Sequence, residues 1–304
     1  MNKPTLSVCM ITYNHEKYIA EAINGVLMQV CNFEVELILA NDCSTDKTDA
    51  VIQEIIQNHP NRSWIKYTNH PQNKGMMPNF IWAMQQCKGK YIALCEGDDY
   101  WTNPLKLQKQ VDFLEGNLDY VLCFHQVNIL KTNGEIVSDF ITKVPENYET
   151  IETLARLGNY IHTPSVVFRN IIKEFPFEFK HTPIGDYFLY MMLAEKGKLK
   201  YLGVNMGVYR YGDGFFSGNS SLEKVNSNLK LFTCLGFYLK NEEIKKIILN
   251  RQLQTVNRLT NLLSNQCNGY FILNHIFFRK IKYIQTNYKN PNKILKKVIT
   301  KFRK

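Results

Sequence analysis

The chain has 304 residues and a mass of 35.5 kDa, which is room for about two domains or one large α/β domain with additions. Apolar residues make up 45% and charged residues 21%, so the composition excludes disordered and fibrous classes. No apolar run approaches the ~18 residues of a membrane span, and residues 1–6 carry no apolar signal segment, so we expect a cytoplasmic protein. The eight cysteines form no C-x-x-C pair, which favours reduced, buried thiols.

The first 125 residues alternate between short apolar strands and amphipathic helices. The predicted strands cover residues 6–12, 35–40, 65–68, 91–95 and 120–124. The predicted helices cover about 18–27, 45–56, 78–87 and 103–114. Ser44 or Thr45 is expected to cap the second helix, and Asn103 with Pro104 to open the fourth. This alternation predicts an α/β, Rossmann-like fold with a mostly parallel sheet and helices on both faces.

The regular alternation is lost between about residues 125 and 218. This part contains a strand-like run at 163–169, an apolar helix that Asp186 opens, and a Gly-rich aromatic stretch at 209–218. From about Leu222 onward the pattern is helical, which predicts a helical C-terminal extension.

Positive charge is concentrated in this extension. The net charge is +10, yet 14 Lys and Arg residues lie between Lys245 and Lys304 and no acidic residue follows Glu243, so residues 1–243 carry 23 basic against 27 acidic residues. Apolar and cationic residues alternate at helical spacing between 271 and 303, which favours a helix lying on an anionic membrane surface. A helical subdomain with solvated charges fits equally well, and nucleic-acid binding fits less well.

Polar or acidic residues follow three of the predicted strands: Tyr13, Asp42, and the adjacent pair Asp98 and Asp99. Ligands of parallel sheets bind beyond the carboxyl ends of the strands. The glycine-rich dinucleotide and Walker loops are both absent. Two adjacent ionised carboxylates need a compensating cation, and Mg²⁺ typically takes one or two carboxylates together with substrate phosphates. The pattern therefore predicts a nucleoside diphosphate bound through a divalent ion, although a single Asp in such a place, Asp186 included, is more often a helix cap.

Four segments resemble family-2 glycosyltransferases: Ser7–Asn14, Asn41–Asp46, Glu96–Trp101 and Asn103–Leu107. The resemblance covers roughly residues 5–218 and implies the GT-A fold. It implies an inverting enzyme that moves a sugar from a nucleotide-diphosphate sugar, most often a UDP-sugar, to an acceptor hydroxyl of a growing cell-surface glycan. Mn²⁺ or Mg²⁺ is the implied cofactor, and a saccharide or lipid-linked saccharide the implied acceptor. Membrane docking of the basic C-terminal region would place this cytoplasmic protein on the cytoplasmic face of the inner membrane.

The resemblance also implies roles for individual residues. Asp186 matches the general base and Asp99 the metal ligand, although the roles of Asp99 and Asp98 can be exchanged between relatives. The implied donor-binding residues are Thr12, Tyr13, Asn14, Asp42, Lys74, Asn79 and Asp98. The implied domains are 1–218, with a nucleotide-binding half at 1–125 and an acceptor and catalytic-base half at 126–218, followed by the helical basic region 219–304.

One departure from the family pattern concerns the loop after residue 210. Many relatives have a His where Gly212 stands, so Asp213 is a candidate to replace it at the metal, and 211–218 is expected to form a flexible lid. A sugar nucleotidyltransferase and a non-catalytic module that binds nucleotide-sugars or polysaccharides are the alternative functions. The first would need a basic, Gly-rich loop at residues 12–18, which the chain lacks, and Asp186 in its matching context argues against the second.

Overall fold

The computed structural model describes residues 4–212, 218 and 220–266, with side chains to residue 262. Asp213, most of the expected lid and the amphipathic basic segment after residue 266 lie outside the described residues. The seven described cysteines are free thiols, and most of them are buried, as the sequence predicted.

One mixed sheet organises the described chain. Its nine strands are β1 (Leu6–Thr12), β2 (Val35–Asn41), β3 (Ile65–Asn69), β4 (Tyr91–Leu94), β5 (Tyr100–Trp101), β6 (Tyr120–Lys131), β7 (Ile136–Ser138), β8 (Val167–Arg169) and β9 (Lys198–Tyr211). The eight described α-helices are α1 (Ile19–Leu27), α2 (Thr48–Asn58), α3 (Met76–Gln86), α4 (Lys106–Gly116), α5 (Ile151–Leu157), α6 (Gly185–Ala194), α7 (Ser221–Tyr238) and α8 (Glu242–Gln266).

The strand order is β3-β2-β1-β4-β8-β6-β9-β5, with β7 added beside β6. The pairs β3–β2, β2–β1, β1–β4 and β6–β9 are parallel, which confirms the mostly parallel sheet. The three-residue strand β8 is antiparallel to both neighbours, and β5 is antiparallel to β9. The carboxyl ends of β1, β2 and β4 therefore lie at one edge of the sheet, where the sequence placed the site.

The core forms because β1 and β2 are apolar along almost their whole length and lie in the middle of the sheet. One face of these strands packs against α1 and α4, with side chains such as Ile23, Val26, Leu107 and Val111 fully or almost fully buried. The other face packs against α3. This arrangement fixes the loops that follow the strands, and those loops carry the site.

Several predicted boundaries differ from the structure. Neither Ser44 nor Thr45 caps α2, which begins at Thr48, because both residues instead contact Asn14 across the site. Helix α4 begins at Lys106, two residues after Pro104. β6 continues seven residues beyond the predicted end at 124, because β9 provides a parallel partner along its whole length.

The chain divides into two compact units, Met1–Pro176 with Gly185–Gly218, and Phe177–Ile184 with Asn219–Lys304. All nine predicted site residues belong to the first unit. In the second unit α7 packs against α8, and a capping box between Ser220 and Glu223 begins α7. None of the described helices has the length and apolar content needed to cross a bilayer.

Candidate active site

The end of β1 brings two loops of the site together. The backbone N–H of Asp42 donates to the Thr12 carbonyl over 2.9 Å, and that of Gly97 donates to the Ile11 carbonyl over 3.0 Å. A Cβ atom on Gly97 would lie 2.6 Å from Thr12 Oγ1, closer than real Cβ contacts come. Glycine at position 97 therefore lets the turn after β4, which we call the acidic turn (residues 96–99), pack directly on β1.

Three carboxylates of the acidic turn form one cluster. Glu96, Asp98 and Asp99 each offer an oxygen within 4.8 Å of the others. Burial raises the pKa of Glu96 to about 8, and the negative charges of Asp98 and Asp186 add to that effect. Burial and the charges of Asp98 and Glu96 also raise the pKa of Asp99 well above its ordinary value. The cluster is thus crowded with negative charge that a cation would stabilise.

Asp99 is the most buried of the three, at 1% exposure. Its Oδ1 accepts a hydrogen bond from the backbone N–H of Arg210 over 2.8 Å, whereas its buried Oδ2 has no hydrogen-bond partner among the described residues. A buried carboxylate oxygen without a donor is rare in folded proteins. Oxygen atoms of this kind are the ligands that Mg²⁺ and similar hard cations take, so these residues fit a divalent ion.

Arg210 holds the acidic turn in place. Its Nε donates to the Asp98 carbonyl and its Nη2 to Glu21 Oε2, both over 2.8 Å. Its guanidinium lies 4.3 Å from the ring centroid of Tyr18 and 5.7 Å from that of Tyr100. No role was predicted for Arg210 from the sequence. The only local feature that marks this arginine is its position between two aromatic residues, Tyr209 and Tyr211.

Asp42 is almost fully buried and is held by the loop before α3. Its two carboxylate oxygens accept hydrogen bonds from the backbone N–H groups of Lys74 (2.7 Å) and Gly75 (2.9 Å). The Asn73 side chain donates to the Asp42 carbonyl. Lys74 therefore contacts Asp42 through its main chain, while its side chain is exposed.

The other predicted donor residues differ in exposure. Tyr13 is 44% exposed beside Asp42, so its ring is available to a ligand. Asn14 and Cys43 both adopt positive φ, at 56° and 61°, and the Asn14 side chain accepts a hydrogen bond from the Thr45 backbone. Asn79 is buried, and its amide bonds the Ala40 carbonyl and the His70 ring. Asn79 thus supports the end of β2.

Asp186 lies in the first turn of α6, near enough to the acidic turn for its negative charge to raise the pKa of Glu96. Its Oδ1 accepts from the Tyr187 backbone N–H over 2.7 Å, and its Oδ2 from Asn159 Nδ2 over 2.9 Å. Burial raises the pKa of Asp186, although these two hydrogen bonds and one from Thr163 oppose that effect. Sequence reasoning missed Asn159, which carries no local signal because it lies 27 residues away.

The mostly parallel sheet with helices on both faces and an acidic turn after the fourth strand has the GT-A fold. The family model described as "Glycosyl transferase family 2" matches residues 7–175. The chain therefore belongs to glycosyl transferase family 2.

Two curated relatives are similar to this chain in sequence. An uncharacterized protein of Mycobacterium tuberculosis is 37% identical over 207 residues, which cover 67% of this chain and 58% of the relative. An uncharacterized glycosyltransferase of Methanocaldococcus jannaschii is 30% identical over 191 residues, which cover 62% of this chain and 63% of the relative. The match thus spans about three-fifths of the length of each of these relatives.

Two solved structures share the fold. S. aureus TarS (residues 1–349) in complex with UDP-GlcNAc has a TM-score of 0.60 at 20% identity, covering 83% of this chain and 72% of that chain. The mannosyltransferase PcManGT from Pyrobaculum calidifontis, in complex with GDP-Man and Mn²⁺, has a TM-score of 0.56 at 13% identity, covering 99% and 85%. At these identities the likeness shows the fold alone.

Proposed function

We propose that this chain is an inverting glycosyltransferase that moves a sugar from a nucleoside-diphosphate sugar, preferentially a UDP-sugar, to an acceptor hydroxyl. The acceptor is a saccharide or lipid-linked saccharide of a growing cell-surface glycan. The observation that carries the proposal is the unpartnered, buried Oδ2 of Asp99 inside a cluster of three carboxylates. The complexes of TarS with UDP-GlcNAc and of PcManGT with GDP-Man and Mn²⁺ support the donor class.

Asp99 would hold a Mn²⁺ or Mg²⁺ ion within the cluster that it forms with Glu96 and Asp98. When bound, such an ion supplies Lewis-acid neutralisation of the charge on the departing diphosphate. The chain then needs no proton donor on the side of the leaving group. Asp99 is proposed as the metal ligand and Asp98 as the ribose contact, and these two neighbouring roles can be exchanged.

The nucleoside is proposed to lie on the exposed ring of Tyr13. Asp42 is oriented by two backbone N–H groups, and its remaining acceptor capacity can receive an N–H of the base. The loop after β1, which contains Asn14, and the loop before α3, which contains Lys74, border the same place. Thr12 and Asn79 support these loops through hydrogen bonds to Asp42 and Ala40.

Asp186 is proposed as the general base. An alcohol is a poor nucleophile, so a carboxylate that accepts its proton during attack lowers the barrier. Asn159 and the Tyr187 N–H fix the orientation of this carboxylate, and its raised pKa makes it a stronger base. A single displacement gives inversion, and one carboxylate suffices for it, unlike the pair of carboxyl groups that a glycoside hydrolase uses.

A screen of nucleotide sugars tests the proposal. The melting temperature should rise with a UDP-sugar and Mn²⁺ more than with GDP-, CMP- or TDP-sugars, because a ligand of the native state stabilises it. Incubation with acceptor glycans should then release a nucleoside diphosphate. Release of pyrophosphate would instead identify a sugar nucleotidyltransferase, and binding without turnover of any donor would identify a binding module.

A further inference from the structure

Lys106, the first residue of α4, is a fully buried lysine outside the acidic cluster. Its side chain is 0% exposed. Its Nζ donates to Gln110 Oε1 over 2.8 Å and lies 4.0 Å from the ring centroid of Trp101. No carboxylate of the described chain pairs with it within 4.0 Å. Lysine is almost never fully buried without such a partner, so the burial of Lys106 needs a physical explanation.

Both partners of Lys106 hold the same short turn, Thr163–Ser165. The indole Nε1 of Trp101 donates to the Pro164 carbonyl over 2.8 Å. The Gln110 amide nitrogen donates to the Ser165 carbonyl over 2.9 Å and to the Cys123 carbonyl over 3.1 Å. Lys106 therefore joins two side chains that would otherwise contact the turn independently.

The contacts of Lys106, Trp101 and Gln110 form one network. One part of this network lies next to the acidic turn, and the other lies close in the chain to a partner of Asp186. Trp101 follows Asp99 by two residues, so its position sets the end of the acidic turn. Asn159, which lies four residues before Thr163 in the chain, donates to Asp186 Oδ2 over 2.9 Å. Hydrogen bonds thus join the strand that follows the acidic turn to the turn Thr163–Ser165, close in the chain to the Asp186 partner Asn159.

We propose that Lys106 is a positioning residue that links the acidic turn to the turn Thr163–Ser165, which closely follows the Asp186 partner Asn159 in the chain. Lys106 is proposed to contact neither the donor nor the acceptor. It acts through Trp101 and Gln110. The proposal rests on the proposed transferase function for its catalytic consequence. Its structural part, the coupling of two turns through one amino group, stands on the described contacts alone.

The test compares Lys106→Met with Lys109→Met by hydrogen–deuterium exchange of the full chain. Lys109 lies on the same helix with an exposed side chain, so it is a matched control. We expect faster exchange in Lys106→Met at both 96–101 and 162–166, and no change in Lys109→Met. Equal exchange in the two variants would overturn the proposal, whether or not the protein transfers sugar.

A kinetic arm separates positioning from general loss of structure. With a donor that the wild type turns over, kcat should fall about tenfold or more in Lys106→Met, with donor KM changed less than threefold, because misplaced reacting groups slow the chemistry. Equal kcat values would overturn the catalytic part. A wild type inactive with every donor would instead contradict the proposed function and leave the exchange result valid.

A second variant covers the case in which Lys106→Met does not fold. Gln110→Glu keeps an oxygen acceptor for Lys106 but removes the N–H donors to the Ser165 and Cys123 carbonyls. We expect faster exchange at 162–166 and little change at 96–101. Faster exchange throughout the first unit, or none at 162–166, would contradict the network.

Discussion

Asp186 has the two hydrogen bonds and the raised pKa that a general base needs. We expect Asp186→Asn to reduce kcat ~10²-fold or more with donor affinity unchanged, because the amide cannot accept the proton. Single-turnover rates and calorimetric titration of the donor measure these two quantities. Asp119→Asn, at an exposed carboxylate paired with Lys198, should behave as wild type. An undiminished rate in Asp186→Asn would exclude this residue as the base.

Substituting Asp99 is expected to change the melting temperature of the metal-free chain and its response to metal with UDP in opposite directions. Asp99→Asn keeps an oxygen acceptor for the Arg210 N–H but removes a buried negative charge, so the metal-free melting temperature should rise. The additional rise caused by Mn²⁺ and UDP should shrink, because a metal ligand is lost. Differential scanning fluorimetry with EDTA or Mn²⁺ measures both effects. A full Mn²⁺ response in Asp99→Asn together with a lost response in Asp98→Asn would assign the ligand role to Asp98.

Lys106 should produce a pH dependence of stability between pH 7 and 9. Burial lowers its pKa to about 7, while the unfolded lysine keeps a pKa near ~10.4. The unfolded state therefore binds more protons above pH 7, and the wild type should gain about 1 kcal/mol of unfolding free energy per pH unit relative to Lys106→Met. Urea unfolding at pH 7, 8 and 9 measures the difference, with Lys109→Met as the control.

The groups around Lys106 do not titrate in that interval. Burial raises the pKa of Cys31 to about 11 and that of Cys123 to about 12, and raises that of Cys95 well above its ordinary value. The pKa of His125 is lowered well below its ordinary value, so its ring stays neutral. If the difference in unfolding free energy between wild type and Lys106→Met does not change with pH, this result would therefore contradict the buried position of the Lys106 amine.

The sequence could indicate Asp42, the acidic turn and Asp186, because strand ends and adjacent carboxylates are local signals. It could not indicate the residues that hold them. Arg210 pairs with Glu21 across 189 positions of the chain, and Trp101 bonds Pro164 across 63. Such partners are set by strand order, which one sequence does not contain. The site roles themselves stay predictions until the variants are measured.

At the scale of elements, the close approach of α1 to β5 offers a direct test. A Cβ atom on Gly25 would lie 2.8 Å from the Trp101 nitrogen and 3.0 Å from its carbonyl oxygen, both backbone atoms. Gly25→Ala should therefore destabilise the fold by about 1–3 kcal/mol, despite the better helix propensity of alanine. Urea unfolding measures this change, and Mn²⁺-dependent UDP binding should weaken with it.

A second helical glycine serves as the control. On Gly236 in α7 an added Cβ would meet Leu249 at an ordinary 3.7 Å. Gly236→Ala should therefore leave stability unchanged or raise it by up to ~1 kcal/mol. Destabilisation of equal size in both variants would mean that the contact between α1 and β5 is not the cause.

Elements were predictable where their signal is local. The first four strands lie within one residue of the predicted ends, because each is a short apolar run bounded by polar residues. The capping prediction for Ser44 and Thr45 was wrong because Asn14 provides a competing partner. Strand β8 covers only the last part of the predicted run 163–169. Thr163–Ser165 instead form a 3-10 turn, which the Gln110 amide and the Trp101 indole hold through hydrogen bonds.

For the whole molecule, we propose that the basic C-terminal region associates with anionic membranes. The full chain should float with anionic liposomes at low salt and be released as ionic strength rises, because exposed charges are screened. A chain ending at residue 266 should float much less, because the removed segment contains ten Lys and Arg residues and no acidic residue. Equal flotation of the two chains, or flotation with zwitterionic vesicles, would contradict electrostatic docking.

The left-handed turn at Cys43 has a practical consequence. Cys43 is partly exposed beside Asp42, whereas most of the described thiols are buried and the partly exposed Cys31 has its pKa raised to about 11. Near neutral pH a maleimide dye would therefore prefer position 43 among these sulfhydryls. The native chain thus carries its own attachment point for a fluorescent reporter of nucleotide occupancy, placed where the base is proposed to sit.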